Sequence, residues 1–434
     1  MTAATLDAFL GRLAADAAMW ADFLALCDCG GRLAGSAGEA RAFALVAERL
    51  AGVAPSALRD EPVPYAGWRC AEARVTDLAA GRDLACAPLL GTASTPPEGL
   101  VLETLDLNRG APEQVAAADG EEGAVRGRAV LATHEYPFAT WTVHRRAKLR
   151  AAEEAGAAAF LVVQPEPGVG PVSGSSGRAG GEGIPALGLS AEGGAMLRAA
   201  GGGGRRVRIT VQGEDLPAAT TPTLVLDLPG RGPDRVVLSA HLDGHPLGES
   251  AIDNASGLAV TIALARAAAP AVEGLPRGLT LCVFGAEEWA LAGSRAWLSA
   301  QPEAALARMA LNLNIDSVVG SPRLTALTSG FRALGPFARR AAARIGTELG
   351  VHLPPMPNSD HANFAARAIP ALRLVAGFDE PESALRLLLT GADTRLLVAP
   401  QALKAAAITA GTLLWAALEA EGEAALPPHA PGGG

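Results

Sequence analysis

The sequence predicts an α/β protein with a mixed central sheet flanked by helices. From Thr223 onward, short apolar segments typical of buried strands alternate with helical segments, and this alternation indicates a largely parallel or mixed sheet. The predicted strands are TLVLDL, RVVLSA, LTLCVFGA, MALNLNID and PALRLVAG. The chain of 434 residues has room for two or three domains.

The N-terminal segment predicts two helices. Apolar residues between Leu6 and Cys27 follow helical spacing and mark one buried face. A second helix is predicted in SAGEARAFALVAERLAG, where Ser36 and Glu39 form a capping box and Gly52 ends the helix.

Residues 126–212 show a different pattern of predicted strands and helices. The strands RAVLAT and AAFLVV flank the helix RRAKLRAAEEAG, and shorter elements follow, which predicts a small α/β unit. We therefore predict that residues 1–74 and 214–424 form one domain and that residues 75–213 form a smaller domain inserted into it. The Pro- and Gly-rich residues 425–434 are predicted to be a disordered tail.

Composition restricts the partners. A net charge of −9 without a basic block argues against nucleic acid or an anionic membrane surface. No uncharged apolar run reaches the roughly 18 residues of a transmembrane helix. The N-terminus has no signal-peptide pattern, and the five cysteines contain no CxxC pair, so we expect a cytoplasmic protein without a disulfide framework. The oligomeric state stays open, and a homo-oligomer is one alternative.

Residues that bind metals follow several of the predicted strands. The candidates are two histidines and five carboxylates at or near strand ends: His241, Asp243, Asp253, Glu287, Glu288, Asp316 and His361. The carboxyl ends of such strands are where α/β sheets place their sites. A mixed set of nitrogen and oxygen donors suits zinc and is tolerated by cobalt or manganese. The adjacent Glu287 and Glu288 would be costly to bury without cations, because like charges repel and desolvation adds to the cost.

Segments in the second half of the chain closely resemble, in order, the signatures of the di-zinc exopeptidases of metallopeptidase family M28. They are AHLDG with AIDNASGLA, FGAEEWALAGSRAWL, NLNIDSVVG and SDHANFAARAIPAL. The resemblance covers residues 222–418 strongly, and the N-terminal GGRLAGS is similar to the GxRxxGS turn of the family. It implies the zinc-dependent exopeptidase fold. The middle unit resembles the protease-associated domain that several members carry as an insertion.

The resemblance implies two Zn²⁺ ions, for which Co²⁺ or Mn²⁺ could substitute. His241 and Asp316 would bind one ion. Glu288 and His361 would bind the other, and Asp253 would bridge the two.

The resemblance also implies roles for residues beside the metal ions. Glu287 would be the general acid and base, and Asp243 would orient the imidazole of His241 through its other nitrogen. The peptide bond between Asp253 and Asn254 would be cis.

The segment LLLTGADTRLL resembles the YHTxxDT segment of the family. The matching residues are Thr390, Asp393 and Thr394. Leu389 stands where the family usually has a histidine. His134 and His144, in the middle unit, have no partners at ligand spacing and are expected to be structural.

The predicted function is a zinc-dependent exopeptidase for small peptides, with an aminopeptidase preferred. A carboxypeptidase or dipeptidase with the same centre is an alternative, and it would recognise an α-carboxylate through Arg367, Arg373 or Arg395, although surface positions are the default expectation for these arginines. A catalytically silent binding protein of the same fold is a second alternative, against which the intact ligand set argues. The sequence leaves open the substrate side chain and the role of the inserted domain.

Overall fold

We describe the protein from a computed structural model, which covers residues 5–120, 123–178, 183–199 and 204–421. The tail predicted at residues 425–434 lies outside these ranges. The chain divides into two compact units. Unit 1 takes in the described parts of Met1–Tyr65, Thr220–Leu385 and Asp393–Gly434, and unit 2 those of Ala66–Ala219 and Arg386–Ala392. The smaller domain was predicted at residues 75–213. Unit 2 extends a few residues further at each end and also contains Arg386–Ala392, which was predicted to belong to the larger domain.

The elements are numbered in chain order. The strands are β1 (Leu58–Asp60), β2 (Val63–Asp77), β3 (Arg82–Leu84), β4 (Cys86–Pro88), β5 (Leu100–Asp106), β6 (Ala129–Thr133), β7 (Ala159–Val163), β8 (Ala186–Leu189), β9 (Arg206–Thr221), β10 (Thr223–Leu228), β11 (Arg235–His241), β12 (Gly278–Phe284), β13 (Met309–Ile315), β14 (Leu324–Leu327), β15 (Gly350–His352) and β16 (Ala371–Ala376). The helices are α1 (Leu6–Ala14), α2 (Ala18–Asp28), α3 (Ala37–Ala51), α4 (Pro112–Gly120), α5 (Arg145–Glu154), α6 (Ala191–Arg198), α7 (Gly257–Val272), α8 (Ala292–Ala300), α9 (Glu303–Leu306), α10 (Leu334–Ala343), α11 (His361–Ala366) and α12 (Pro400–Glu419).

Unit 1 contains an eight-stranded mixed sheet, which confirms the predicted fold class. The strand order is β1-β10-β12-β11-β13-β16-β14-β15. The central strands β12, β11, β13 and β16 are parallel neighbours, whereas β10 and β14 run antiparallel to the strands beside them in the middle of the sheet. Every residue of β12 is buried, as expected for a parallel strand with both faces covered.

Helices α1, α2 and α12 pack on the long apolar helix α7 in unit 1. The ring of Phe9 in α1 stacks on Trp415 in α12, with their centroids 5.1 Å apart. A further apolar cluster joins β12, α8 and α11 through Phe284, Trp297 and Phe364. The helices that open the chain therefore belong to the same unit as the strands from β10 onward.

The first predicted helix is two helices. Asp16 lies between α1 and α2, and its carboxylate accepts hydrogen bonds from the backbone N–H groups of Ala18 (2.8 Å) and Met19 (3.1 Å). A side chain that satisfies the free N–H groups of a helix start favours a new helix there. Helical periodicity alone did not show this break.

The predicted capping box is half formed. Ser36 Oγ accepts from the backbone N–H of Glu39 at 3.2 Å. The carboxylate of Glu39 accepts from the backbone N–H of Gly35 and from the hydroxyl of Thr221. The glutamate thus joins the start of α3 to the segment that precedes β10.

Unit 2 contains a second eight-stranded sheet, in the order β3-β2-β9-β5-β6-β7-β8-β4. Strands β5 to β8 form its parallel part. His144 Nδ1 accepts from the backbone N–H of Arg146 at 3.2 Å, at the start of α5. Burial first, and then the neighbouring Arg145, lower the pKa of both His134 and His144, so these imidazoles stay neutral.

Two helical stretches of the described chain are long and apolar enough to cross a membrane, Ala251–Val272 and Pro400–Glu419. Their most apolar windows are 83% and 67% buried within the protein. Burial of this extent is typical of core helices, so length and composition are weak grounds for a membrane span.

Candidate metal and catalytic site

The predicted ligands meet at the carboxyl edge of the central strands of unit 1. His241 is the last residue of β11, and Asp316 directly follows β13. Glu287 and Glu288 lie in the turn after β12, and Asp253 lies in the irregular turn before α7. The parallel pairing of β11 with β12 and β13 brings these turns together.

One group of donors contains His241, Asp253 and Asp316. The Nε2 atom of His241 is 3.1 Å from Oδ1 of Asp253 and 3.6 Å from Oδ1 of Asp316. One donor atom from each residue lies within 4.8 Å of the other two. This is the set that the resemblance implies for one of the two ions.

Another group contains His245, Asp253 and Glu288. The Nε2 atom of His245 is 2.6 Å from Oε1 of Glu288. Asp253 thus belongs to both of these groups. A third group joins His241 with Glu287 and Glu288.

His245 was not among the predicted residues. Its only signal in the sequence was its position four residues after His241, in the loop that leads to Asp253. His361, which was predicted to act with Glu288, is buried at the start of α11 and belongs to none of the three donor groups found in the described residues. Its ligand role stays a prediction.

Asp243 holds the turn that carries the two glutamates. Its carboxylate oxygens accept from the backbone N–H groups of Glu287 (3.0 Å) and Glu288 (3.1 Å). The Nδ1 atom of His241 is 3.0 Å from the main-chain oxygen of Asp243 and 3.7 Å from its Oδ1. Asp243 therefore contacts the imidazole as predicted, but its main-chain oxygen is the nearer partner, and its carboxylate positions the glutamates.

The backbone of the bridging residue is held from two sides. The carboxylate of Asp393 accepts from the N–H groups of Ile252 (2.8 Å) and Asp253 (3.2 Å). The side-chain amide of Asn254 donates to the carbonyl of Ile315 at 3.0 Å. The peptide bond between Asp253 and Asn254 is cis, which confirms the prediction.

The electrostatics of the site favour a bound cation. Burial and the neighbouring carboxylates raise the pKa of both Glu287 and Glu288. Burial opposes a charge on His241, but Glu287 and the surrounding aspartates outweigh it and raise the pKa of the imidazole well above its ordinary value. A divalent ion compensates such a cluster directly, and buried imidazole and carboxylate donors are the chemistry that zinc prefers. The residues present therefore fit a metal ion.

Arg373 is buried beside the site. Its Nη2 atom is 3.1 Å from Oδ2 of Asp316. Although burial acts in the opposite direction, the charge of Arg373 keeps the pKa of Asp316 below its usual range. The default expectation of a surface position is wrong for Arg373. This residue lies on β16, an interior strand of the sheet that pairs with β13.

Arg32, from the GGRLAGS turn, fastens the loop between His241 and Asp253. Its guanidinium is fully buried and donates to the carbonyls of Leu242 (3.0 Å), Glu249 (2.7 Å) and Ser250 (3.0 Å). A planar group with several fixed donors suits three carbonyls at once. The N-terminal turn therefore positions the metal-site loop.

Replacing Arg32 with lysine is expected to lower the free energy of unfolding by about 3 kcal/mol, because a single ammonium cannot reach all three carbonyls and buried acceptors lose their partners. Urea unfolding followed by tryptophan fluorescence measures the change. The exposed Arg332 provides a matched control, and Arg332→Lys should change the free energy by less than about 0.5 kcal/mol. Equal effects of the two substitutions would contradict the anchoring role.

The fold and the site define an α/β protein with imidazole and carboxylate donors for metal at the carboxyl edge of a mixed sheet. Residues 223–399 match the model of peptidase family M28, and residues 98–197 match the model of the PA domain. Residues 223–399 thus form a segment of the peptidase family M28 type, and residues 98–197 form a PA domain.

Relatives and solved structures agree with this assignment. The chain is 26% identical to aminopeptidase YwaD of Bacillus subtilis over 315 residues, 70% of this chain and 64% of the relative. It is 29% identical to leupeptin-inactivating enzyme 1 of Streptomyces exfoliatus over 177 residues, 40% of each chain. The matches thus span less than two thirds of both relatives.

Two solved structures share the fold. The structure of a peptidase M28 precursor from Shewanella amazonensis aligns with a TM-score of 0.82 at 20% identity, covering 98% of both chains. BSAP, a zinc aminopeptidase from Bacillus subtilis, aligns with a TM-score of 0.72 at 22% identity, covering 92% of this chain and 94% of that chain.

Proposed function

We propose that this protein is a zinc-dependent aminopeptidase with two metal ions that hydrolyses small peptides. The observation that carries the proposal is the sharing of Asp253 between two groups of imidazole and carboxylate donors, with Glu287 adjoining both His241 and Glu288 in a third. A carboxylate common to two donor sets is the arrangement that holds two ions at bridging distance.

Zinc at this site would lower the pKa of water and polarise the carbonyl group of the scissile peptide bond. The protein itself would supply proton transfer. Glu287 is buried and would accept the proton of the attacking water, then deliver it to the leaving amine. Asp243 holds the backbone of Glu287 and so would keep this carboxylate in place.

Two observations support an aminopeptidase over a carboxypeptidase. The relative from Bacillus subtilis is named an aminopeptidase, and a structure with the same fold is described as a zinc aminopeptidase. The arginines considered for binding an α-carboxylate are also engaged within the chain. Arg373 pairs with Asp316, Arg367 donates to Ser299, and Arg395 pairs with Glu249 and Asp28.

A substrate panel tests the proposal. Amino-acid anilides with a free amine should be hydrolysed, and N-blocked peptides with a free carboxylate should not. Activity should fall to background after chelation and return on addition of Zn²⁺, because water activation depends on the metal. Preferential hydrolysis of N-blocked peptides would show a carboxypeptidase, and two bound ions without hydrolysis of either substrate would show a binding protein.

A further inference from the structure

The imidazole of His245 lies in the metal site, although neither the family resemblance nor the proposed mechanism assigns it a role. Its side chain is only 3% exposed, and its Nε2 atom is 2.6 Å from Oε1 of Glu288. Asp253 contributes a further donor, and one atom from each of the three residues lies within 4.8 Å of the other two. An imidazole and two carboxylates thus lie close together, with His245 and Glu288 buried and Asp253 partly buried.

An ion pair between His245 and Glu288 would not balance the charge of this group. A protonated imidazole beside two carboxylates leaves one net negative charge in a buried place. A neutral imidazole and two carboxylates around a divalent cation leave none, and burial penalises net charge.

Contacts within the protein fix the backbone of His245. Its N–H group donates to Oγ of Ser250 at 2.9 Å. A Cβ atom on Gly31 would lie 2.5 Å from the carbonyl oxygen of His245 and 2.8 Å from Cα of Pro246, so the N-terminal turn packs directly on this loop. Arg32 holds the residues on either side. A donor on a loop anchored in this way is held in position for a ligand.

His361 lies in different surroundings. It is buried at the start of α11, in the segment that leads to β16. His361 also belongs to none of the donor groups in the described residues.

We propose that His245, with Asp253 and Glu288, binds the second metal ion, so that this ion takes its imidazole donor from His245 and not from His361. The inference rests on the proposed two-ion site and adds a ligand to it. It makes the short loop after β11 the source of donors for both ions.

Zinc binding by the whole chain tests the proposal without reference to catalysis. The variants are His245→Asn and His361→Asn, and the measurements are zinc content after gel filtration and calorimetric titration with ZnSO₄. His245→Asn should retain one ion and bind the second at least about tenfold more weakly, whereas His361→Asn should retain two. Titration with CoCl₂ offers an independent measurement, because the visible spectrum of the second Co²⁺ ion should change only in His245→Asn.

Two further variants distinguish the loss of a ligand from a folding defect. Circular dichroism of the metal-free proteins should show that His245→Asn is folded, and if it is not, His245→Gln takes its place. His245→Asp should bind the second ion more tightly than His245→Asn, since a carboxylate is a zinc donor. A merely structural histidine would not be rescued in this way.

Three results would overturn the inference: unchanged affinity for two ions in His245→Asn, loss of one ion in His361→Asn, or a wild-type protein that binds only one. Failure of the proposed function is a separate result. Suppose that the wild type binds two ions, His245→Asn binds only one, and the wild type hydrolyses no peptide. This result would refute the proposed aminopeptidase activity and support His245 as a metal ligand.

Discussion

Glu287→Gln is expected to lower kcat by about 10²–10⁴ while both metal ions and substrate binding are retained. This range is the usual contribution of a general base, and an amide of the same size cannot accept the proton of the attacking water. The backbone N–H of Glu287 bonds to Asp243 and is unaffected by the change, so the turn should keep its shape. Steady-state kinetics on an amino-acid anilide, with zinc content measured on the same sample, provide the test.

The neighbouring glutamate should behave differently. Glu288→Gln replaces a carboxylate ligand with a neutral amide, so one ion should bind more weakly and activity should depend on added zinc. Glu303→Gln, in exposed α9, controls for the loss of one negative charge and should change neither quantity. If Glu287→Gln loses metal while Glu288→Gln keeps both ions, the two roles are reversed. If neither changes hydrolysis, the two-ion mechanism is wrong.

Asp253→Ala is expected to abolish hydrolysis and to weaken the binding of both metal ions. Its carboxylate belongs to the group with His241 and Asp316 and to the group with His245 and Glu288, so its removal takes a donor from each. Loss of a residue that merely supports a ligand weakens metal binding by about 10–100-fold, and loss of the shared ligand should exceed that range. Calorimetric zinc titration and the anilide assay measure the two effects.

The control for this substitution is Asp7→Ala, on the exposed side of α1, which should bind zinc and turn over substrate like the wild type. Asp253→Ala should also remain folded in the absence of metal, because the contacts from Asp393 reach the backbone N–H groups of Ile252 and Asp253. Selective loss of one ion, with the other bound at wild-type affinity, would show that Asp253 is not shared.

Much of the site could be predicted from local patterns in the sequence. His241 and Asp316 come at the ends of buried strands, and Glu287 and Glu288 follow one closely. Since parallel strands end at the same edge of a sheet, any such residues are brought near one another once the strands are recognised. The fold class followed from the same alternation of strands and helices.

Contacts between distant segments decided the rest. The break between α1 and α2 depends on a single capping side chain, that of Asp16, within a continuous helical pattern. Arg373 lies beside the candidate metal site because β16 lies beside β13, and the sequence pattern of a strand does not specify which strands flank it.

The position of His245 depends on the tertiary structure in the same way. Sequence spacing places it near His241, but its closest carboxylate, Glu288, comes from the turn after another strand. The loop that carries it is held by Arg32, which lies 210 positions from Leu242 in the chain. The sequence thus determined which residues could bind metal at each strand end. The packing of remote segments decided that His245 stands beside Glu288, because the contacts that anchor a loop set its path.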